Sequence, residues 1–113
     1  IKVNGTIIAS DYSIGTGTTM TRGHTLAIIN ESTGVPISIT SYDTYLSGAA
    51  STSLAAALAA VTTGRIIAIG TYDATALTAG VRDALRTHYG SLASASDTWT
   101  ARRRSHIFVS VKN

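Results

Sequence analysis

Few residues of this chain have the chemistry that catalysis or metal binding requires. Its histidines, His24, His88 and His106, fall in three different predicted elements, and no motif connects any of them with a serine. Nucleophilic catalysis needs a base within hydrogen-bonding distance of the nucleophile. A zinc site needs closely spaced ligands, and the chain has no cysteine. We therefore expect surface or capping histidines, no enzymatic activity, no metal and no cofactor.

Asp43 and Asp73 have more informative positions, because each lies at the end of a predicted strand. Asp43 is interpreted structurally, as a carboxylate that accepts backbone N–H groups in the turn after its strand. Asp73 has two interpretations. In one it caps a helix or a turn, and in the other it forms a structural ion pair with Arg22 that closes the fold. Tyr42 and Tyr45 are predicted to pack half-buried rather than to stack on a ligand.

The composition limits the classes of partner. Charged residues make up 13% of the chain, about half the usual share. A neutral, hydroxyl-rich surface of this kind is typical of virion or extracellular proteins. The net charge is +3, but the excess is concentrated in one arginine run, so nucleic acid is an unlikely partner. No apolar run approaches the ~20 residues of a membrane span, so no membrane partner is expected.

That arginine run comprises Arg102, Arg103 and Arg104. It is either a solvated loop or a contact for an anionic glycan, a phosphate or an acidic patch on a neighbouring subunit. Because side chains alternate along an extended segment, at most two of the three can face one ligand.

The hydrophobic pattern predicts one domain over residues 1–113, excised from a longer protein. Its first half is predicted to be mostly strand. A buried strand and a second strand form a hairpin through a turn that ends at Gly34. The predicted segments are a strand at Ile1–Asp11 with a tight turn or a kink at Asn4-Gly5, a loop at Ser13–Gly23, and strands at Thr25–Asn30 and Ile37–Tyr42.

The second half alternates helices and strands. Leu54, Leu58 and Val61 have helical spacing after a small-residue loop at Ser47–Ser53, and Gly64 is predicted to end that helix. The other segments are a central strand at Arg65–Gly70, a helix at Thr78–Tyr89 stopped by Gly90, a polar loop at Leu92–Thr100 and a strand at Ile107–Val111. This order predicts an α+β fold with helices packed on mainly antiparallel sheets.

The ordered set of segments resembles the interleukin-like EMT inducer domain, also called the PANDER-like or GG domain. The resemblance implies a compact β-β-α fold, with two mainly antiparallel sheets flanked by short helices. It rests on Arg22-Gly23 before TLAIIN, on Thr33-Gly34, SYDTY, Leu58, Gly64 and RIIAIGTYD, and on Arg82, Leu85, Gly90-Ser91, IFV and Lys112. Such domains occur in secreted signalling proteins, in hyaluronan-processing proteins, in the stem of a glycosyltransferase and in some bacteriophage tail proteins. Animal members usually carry disulfides, so the absence of cysteine favours a phage tail version.

The resemblance to the glycosyltransferase stem also implies a sugar site. Arg22 and Asp73 match two of its three charged residues, and Arg103 matches the third when IFV is aligned with the final strand. An alignment on DTW places Ser96 there instead. Trp99 or Tyr72 could cover an apolar sugar face. The expected function is a non-catalytic carbohydrate-binding module, on a phage tail where it contacts host glycan. The alternative is a structural protein–protein interaction module of a virion or of its parent protein. A cytokine-like ligand is disfavoured, because cysteines and a signal segment are both lacking.

Overall fold

A four-stranded antiparallel sheet, flanked by two helices, forms the centre of the molecule in a computed structural model. The structure describes residues 2–3, 6–7, 9–10, 13–14, 18–73, 75–92 and 107–113. The sheet has the strand order β7-β6-β8-β9, so the α+β prediction is confirmed. The main elements are β6 (Gly23–Ile29), β7 (Pro36–Tyr42), α1 (Gly48–Ala60), β8 (Ile66–Tyr72), α2 (Ala79–Tyr89) and β9 (Ile107–Val111).

Five two-residue strands precede this sheet. The prediction of strand over Ile1–Asp11, broken by a tight turn or kink at Asn4-Gly5, is confirmed in part: Lys2–Val3 pairs antiparallel with Thr6–Ile7, whereas Ala9–Ser10 belongs to a separate ladder. The predicted tight turn at Asn4-Gly5 lies outside the described residues. The predicted loop at Ser13–Gly23 is also wrong in part, since β-branched residues there join the second ladder. The short strands are β1 (Lys2–Val3), β2 (Thr6–Ile7), β3 (Ala9–Ser10), β4 (Ser13–Ile14) and β5 (Thr18–Thr19).

The predicted hairpin is formed by β6 and β7, which pair antiparallel from His24↔Tyr42 to Ile29↔Pro36. Asn30 organises the turn between them. Its backbone carbonyl accepts the Gly34 N–H at 2.8 Å. Its side-chain Oδ1 accepts the N–H groups of Ser32 and Thr33. Gly34 has φ 72°, a conformation that glycine adopts without steric cost. The turn therefore fixes the register of the hairpin.

The strand β8 is buried on both faces, as its uninterrupted apolar sequence predicts. Ile67 and Ile69 belong to the cluster that packs against the helices, whereas Ala68 belongs to a second cluster on the opposite face. Met20 packs against this second cluster and covers Gly70, where an added Cβ would lie 2.9 Å from the Met20 sulfur. Both interior strands of the sheet are thus shielded from solvent.

The helix α1 begins earlier than its hydrophobic spacing indicates. Residues 48–53, predicted as a loop, form its first turns, because the Ser47 hydroxyl caps the start by accepting the Ala50 N–H at 3.4 Å. Leu54, Leu58 and Val61 pack in the main core as predicted. The small residues before Leu54 extend the helix without adding apolar contacts.

The end of α1 also differs from the prediction. The C-cap residue is Val61, and Gly64 lies three positions further along with φ 90°. Two side chains from distant elements satisfy carbonyls of the last turns. The buried Tyr89 hydroxyl donates to the Leu58 carbonyl at 2.7 Å, and the Lys112 ammonium donates to the Ala59 carbonyl. The helix end is therefore capped by tertiary contacts instead of by glycine.

The helix α2 matches its prediction at both ends. Thr78 is the N-cap residue, and Gly90 follows the helix in the left-handed conformation with φ 66°. Val81, Leu85 and Tyr89 form its buried stripe. Among the described residues, no helix has the length and apolar character needed to cross a bilayer.

Candidate functional site

The charged residues of interest meet at one end of the main sheet. Gly23↔Tyr72 is the last residue pair between β6 and β8. Arg22 directly precedes β6 and Asp73 directly follows β8, so both residues lie at this end of the sheet. His24↔Tyr42 ends the ladder with β7, and Asp43 follows directly. The hairpin and the central strand therefore bring residues from three separate parts of the sequence together.

Gly23 allows this close approach. It has φ 101°, and a Cβ at this position would lie 2.1 Å from the Tyr42 carbonyl oxygen and 2.8 Å from the Thr44 nitrogen. Any side chain would push the start of β6 away from the segment after β7. The Arg22-Gly23 pair is thus a local requirement of the fold, since it brings the Arg22 backbone against the turn that contains Asp43.

Arg22 makes a side-on ion pair with Asp43. Its Nε donates to both carboxylate oxygens at 3.1 Å, and its Nη2 donates to Oδ2 at 2.6 Å. Both side chains remain partly exposed, at 39% and 38%. The prediction that Asp73 is the structural ion-pair partner of Arg22 is therefore wrong. The outer ends of a hairpin lie side by side, so Asp43 is the nearer carboxylate.

Asp43 also organises its own turn, as its structural interpretation predicts. Its Oδ1 accepts the Leu46 N–H at 3.2 Å. The hydrogen bond from Arg22 holds the pKa of the Asp43 carboxyl below its ordinary value, and backbone N–H groups lower it further. The same hydrogen bond raises the pKa of the Arg22 guanidinium. The pair is ionised at neutral pH and fixes the position of the arginine.

Tyr45 has a role that the sequence reasoning missed. The guanidinium carbon of Arg22 lies 5.4 Å from the centre of the Tyr45 ring, a cation–π distance. The ring is 39% exposed, so it packs on the arginine at the surface rather than in the core. The predicted hairpin could have indicated this contact, because its register places the residues after β7 beside the residue before β6.

Asp73 lies next to this pair and is exposed. Its φ of 59° is in the left-handed region, which aspartate tolerates better than most residues. Its charge is one of the smaller contributions to the raised pKa of Arg22, after the hydrogen bond with Asp43. The neighbouring Tyr72 is 41% exposed. Asp73 does not cap a helix, because α2 begins after Thr78.

A buried polar contact joins the start of β6 to the segment after β7. His24 and Thr44 are 1% and 3% exposed, and the His24 Nδ1 lies 2.6 Å from the Thr44 hydroxyl. The expectation of a surface or capping histidine is therefore wrong for His24. His88 is half-buried at the end of α2, with its ring edge-on to Tyr89.

Several predicted site residues lie outside the described residues. They are Trp99, Arg103 with the rest of the arginine run, Ser96 and His106. In the part of the chain that the structure describes, no three histidine or acidic side chains come together as metal ligands.

Most of the chain matches the model of one protein family. A family model described as interleukin-like EMT inducer matches residues 22–113. The chain belongs to the interleukin-like EMT inducer family. No curated protein sequence matches the chain at a significant level. The family match indicates a small interaction module, and it begins at Arg22, the arginine of the site.

This interleukin-like EMT inducer domain presents three kinds of chemical group at one end of its sheet. Arg22 provides a fixed cation, and its Nη1 donates no hydrogen bond within the described residues. Asp73 provides an exposed carboxylate, and Tyr45 and Tyr72 provide partly exposed rings. Such a set can donate and accept hydrogen bonds with one polar ligand and can pack against its apolar face.

Proposed function

We propose that the domain is a non-catalytic module that binds carbohydrate at the end of the sheet, through Arg22 and Asp73. The observation that carries the proposal is the side-on pairing of Arg22 with Asp43. It occupies Nε and one side of Nη2 and leaves Nη1 directed away from the pair. An arginine that is already oriented loses little conformational freedom when a ligand binds.

The chemistry of the site fits a sugar diol. One hydroxyl accepts from the Arg22 guanidinium and the other donates to the Asp73 carboxylate. Hydrogen bonds to charged groups are about twice as strong as those between neutral groups. The exposed Tyr72 ring offers a surface for the apolar face of a pyranose. Trp99 and Arg103 remain proposed contributors from outside the described residues.

The charge balance of the described site favours a neutral sugar. Arg22 is one cation, whereas Asp43 and Asp73 are two carboxylates. A sialic acid or uronic acid would bring a third carboxylate into this cluster and would be repelled. We therefore expect neutral hexoses to bind more tightly than acidic sugars.

A glycan array probed with the isolated domain tests the proposal, followed by titration of isotope-labelled protein with the glycans that bind. Neutral glycans should shift the amide signals of Arg22, Tyr72 and Asp73. Asp73→Asn should weaken binding at least about tenfold, because a charged acceptor is lost. Asp83→Asn on α2 is the matched control and should bind as the wild type does. No binding to any glycan, or equal binding by both variants, would end the proposal.

Arg22→Lys separates orientation from charge. Lysine keeps the positive charge but cannot pair side-on with Asp43 while donating to a ligand. We expect weaker binding from this variant with an unchanged fold, checked by its circular dichroism spectrum. Tighter binding of acidic than of neutral glycans would contradict the charge argument and would assign the dominant contact to the arginine run.

A second candidate function is docking of a protein partner at the same end of the molecule. Leu46 is 73% exposed and its N–H is bound by Asp43, so an apolar side chain stands beside the charged cluster. A protein interface uses such a residue as an anchor, whereas a sugar site does not need it. Leu46→Ser should leave glycan binding unchanged if the first proposal holds.

We also propose that the domain acts outside the cell or on a virion, as part of a phage tail protein that contacts host glycan. Support comes from the 13% charged residues and the absence of cysteine. The sequence of the parent gene tests this setting. Neighbouring tail or baseplate genes would support it, and a neighbouring set of intracellular metabolic genes would contradict it.

A further inference from the structure

The backbone of β9 has an inner side and an outer side. The Lys112 N–H donates to the Arg65 carbonyl at 2.9 Å, next to the Ile66↔Val111 pair. Backbone groups alternate in direction along a strand. The N–H and C=O groups of Ile107, Val109 and Val111 therefore point away from β8. Among the described residues no further strand lies beyond β9, which is the last strand of the sheet, and the Val111 carbonyl accepts only the Ser110 hydroxyl, at 3.4 Å.

The same three residues carry apolar side chains on one face of the sheet. Ile107, Val109 and Val111 are 66%, 42% and 48% exposed, and no charged residue lies between them. Monomeric proteins normally protect such an edge with a charge, a proline or a bulge, because an open β-edge recruits another strand.

The opposite edge of the sheet has this protection. β7 begins at Pro36, which has no N–H to donate, and its ladder with β6 has a register shift between Ile28 and Ile29. Both features disfavour the addition of a strand. The two edges thus differ, and β9 is the one suited to pairing.

We propose that β9 pairs antiparallel with β9 of a second copy of this chain, about a two-fold axis at Val109. In this register Val109 faces the partner's Val109, and Ile107 faces the partner's Val111. All of these residues direct their backbone groups outward, so each pair exchanges both of its hydrogen bonds. The two main sheets become one continuous sheet.

The second copy is favoured over a foreign strand because the segment is complementary to itself. The two-fold register places apolar residues beside apolar residues at every outward position, and cross-strand pairs of β-branched residues stabilise sheets. A register shifted by one residue would pair outward-facing groups with inward-facing ones. The strand carries no charge that the symmetry would bring against its equivalent.

The pairing is independent of the proposed sugar site. Ile107 lies opposite Gly70 at the end of the sheet that carries the site, and Val111 lies opposite Ile66 at the other end. The antiparallel arrangement therefore places the two sites at opposite ends of the doubled sheet. A variant that prevents pairing should bind ligand at each site with unchanged affinity.

Sedimentation velocity of the wild-type chain over a wide concentration range should show a reversible monomer–dimer equilibrium. Val109→Lys should raise the dissociation constant at least about tenfold, because two ammonium groups meet at the axis. Val109→Glu should do the same, and a mixture of the two variants should restore dimers. Ile37→Lys, on the opposite edge of the sheet, is the matched control and should dimerise normally.

Thermal unfolding of each variant checks that it remains folded. Three outcomes would overturn the proposal: a wild-type chain that stays monomeric at every concentration, undisturbed dimers of Val109→Lys, or failure of the mixed variants to associate. Loss of dimers in Ile37→Lys but not in Val109→Lys would assign the interface to β7.

Discussion

The Arg22 guanidinium lies side-on against the Asp43 carboxylate, with Nη2 2.6 Å from Oδ2, and this contact joins the start of β6 to the end of β7. It closes the open end of the hairpin, and it holds one side of the arginine while the other side stays accessible at the surface.

Acidification should weaken this end of the fold. The pKa of Asp43 is lowered in the folded protein, so its stabilising contribution is present above the pKa of an unfolded aspartate, about 3.9, and is lost as the pH falls through the lower folded value. Thermal unfolding measured between neutral pH and strongly acidic pH should show this decline. Asp43→Asn should be less stable at neutral pH and should lose less stability on acidification. Asp83→Asn should keep the wild-type dependence, and an equal pH dependence in Asp43→Asn would contradict the ion pair.

Gly23→Ala should be strongly destabilising, by at least about 3 kcal/mol in the free energy of unfolding. The added Cβ meets the Tyr42 carbonyl oxygen, and φ is positive. Gly48→Ala is the control, because nothing lies within 4 Å of a Cβ at this position in the first turn of α1. It should be neutral or up to about 1 kcal/mol more stable. Chemical denaturation measures both, and a mild effect of Gly23→Ala would mean that the turn can rearrange.

Lys112→Met should destabilise the protein by about 1 to 3 kcal/mol. Methionine keeps most of the apolar stem but removes the ammonium that binds the Ala59 carbonyl at the end of α1. Hydrogen exchange should speed up in the last turn of α1 in particular. Arg86→Met changes an exposed cation of α2 and should stay within about 0.5 kcal/mol of the wild type. A loss no larger than that of Arg86→Met would show that the cap is unimportant.

The Tyr89 hydroxyl should ionise at a higher pH than an ordinary tyrosine does. Burial raises its pKa to about 12, whereas an unfolded tyrosine ionises near about 10. The unfolded state therefore releases this proton first, and stability should fall as the pH rises from about 10 to about 12. A spectroscopic titration of the five tyrosines should show a late transition, to which Tyr42 also contributes because burial raises its pKa.

Tyr89→Phe should diminish that late transition and cost about 1 kcal/mol at neutral pH, because the Leu58 carbonyl loses its donor. Tyr72→Phe, at an exposed ring, should leave the late transition in place. If Tyr89→Phe removed amplitude near a pH of about 10 and left the late transition intact, the Tyr89 hydroxyl would be in contact with solvent.

The elements that the sequence predicted well are those whose hydrophobic spacing coincides with a local stop signal. The helix α2 has Val81, Leu85 and Tyr89 on one face and Gly90 after its end, and its observed bounds follow this pattern. The strands β8 and β9 were predicted from short apolar runs, RIIAIG and IFVSV. The start of α1 was missed because small residues give no periodic signal, although Ser47 is an adequate cap.

The family resemblance, and not composition or spacing, selected Arg22 and Asp73 as site residues. The register Gly23↔Tyr72 places these two residues at the same end of the sheet. The pairing of Arg22 with Asp43 depends on the close approach at Gly23, which composition and spacing do not reveal. The burial of His24 depends on the same close approach, because its partner Thr44 lies in the adjoining turn.

Lys112 and Asn113 hold the ends of both helices against β9. Lys112 reaches α1, and the Asn113 N–H donates to the His88 carbonyl in α2 at 3.0 Å. Cleavage before Lys112 by a protease would release the ends of both helices at once. Any shortened version of the chain should therefore retain Lys112 and Asn113.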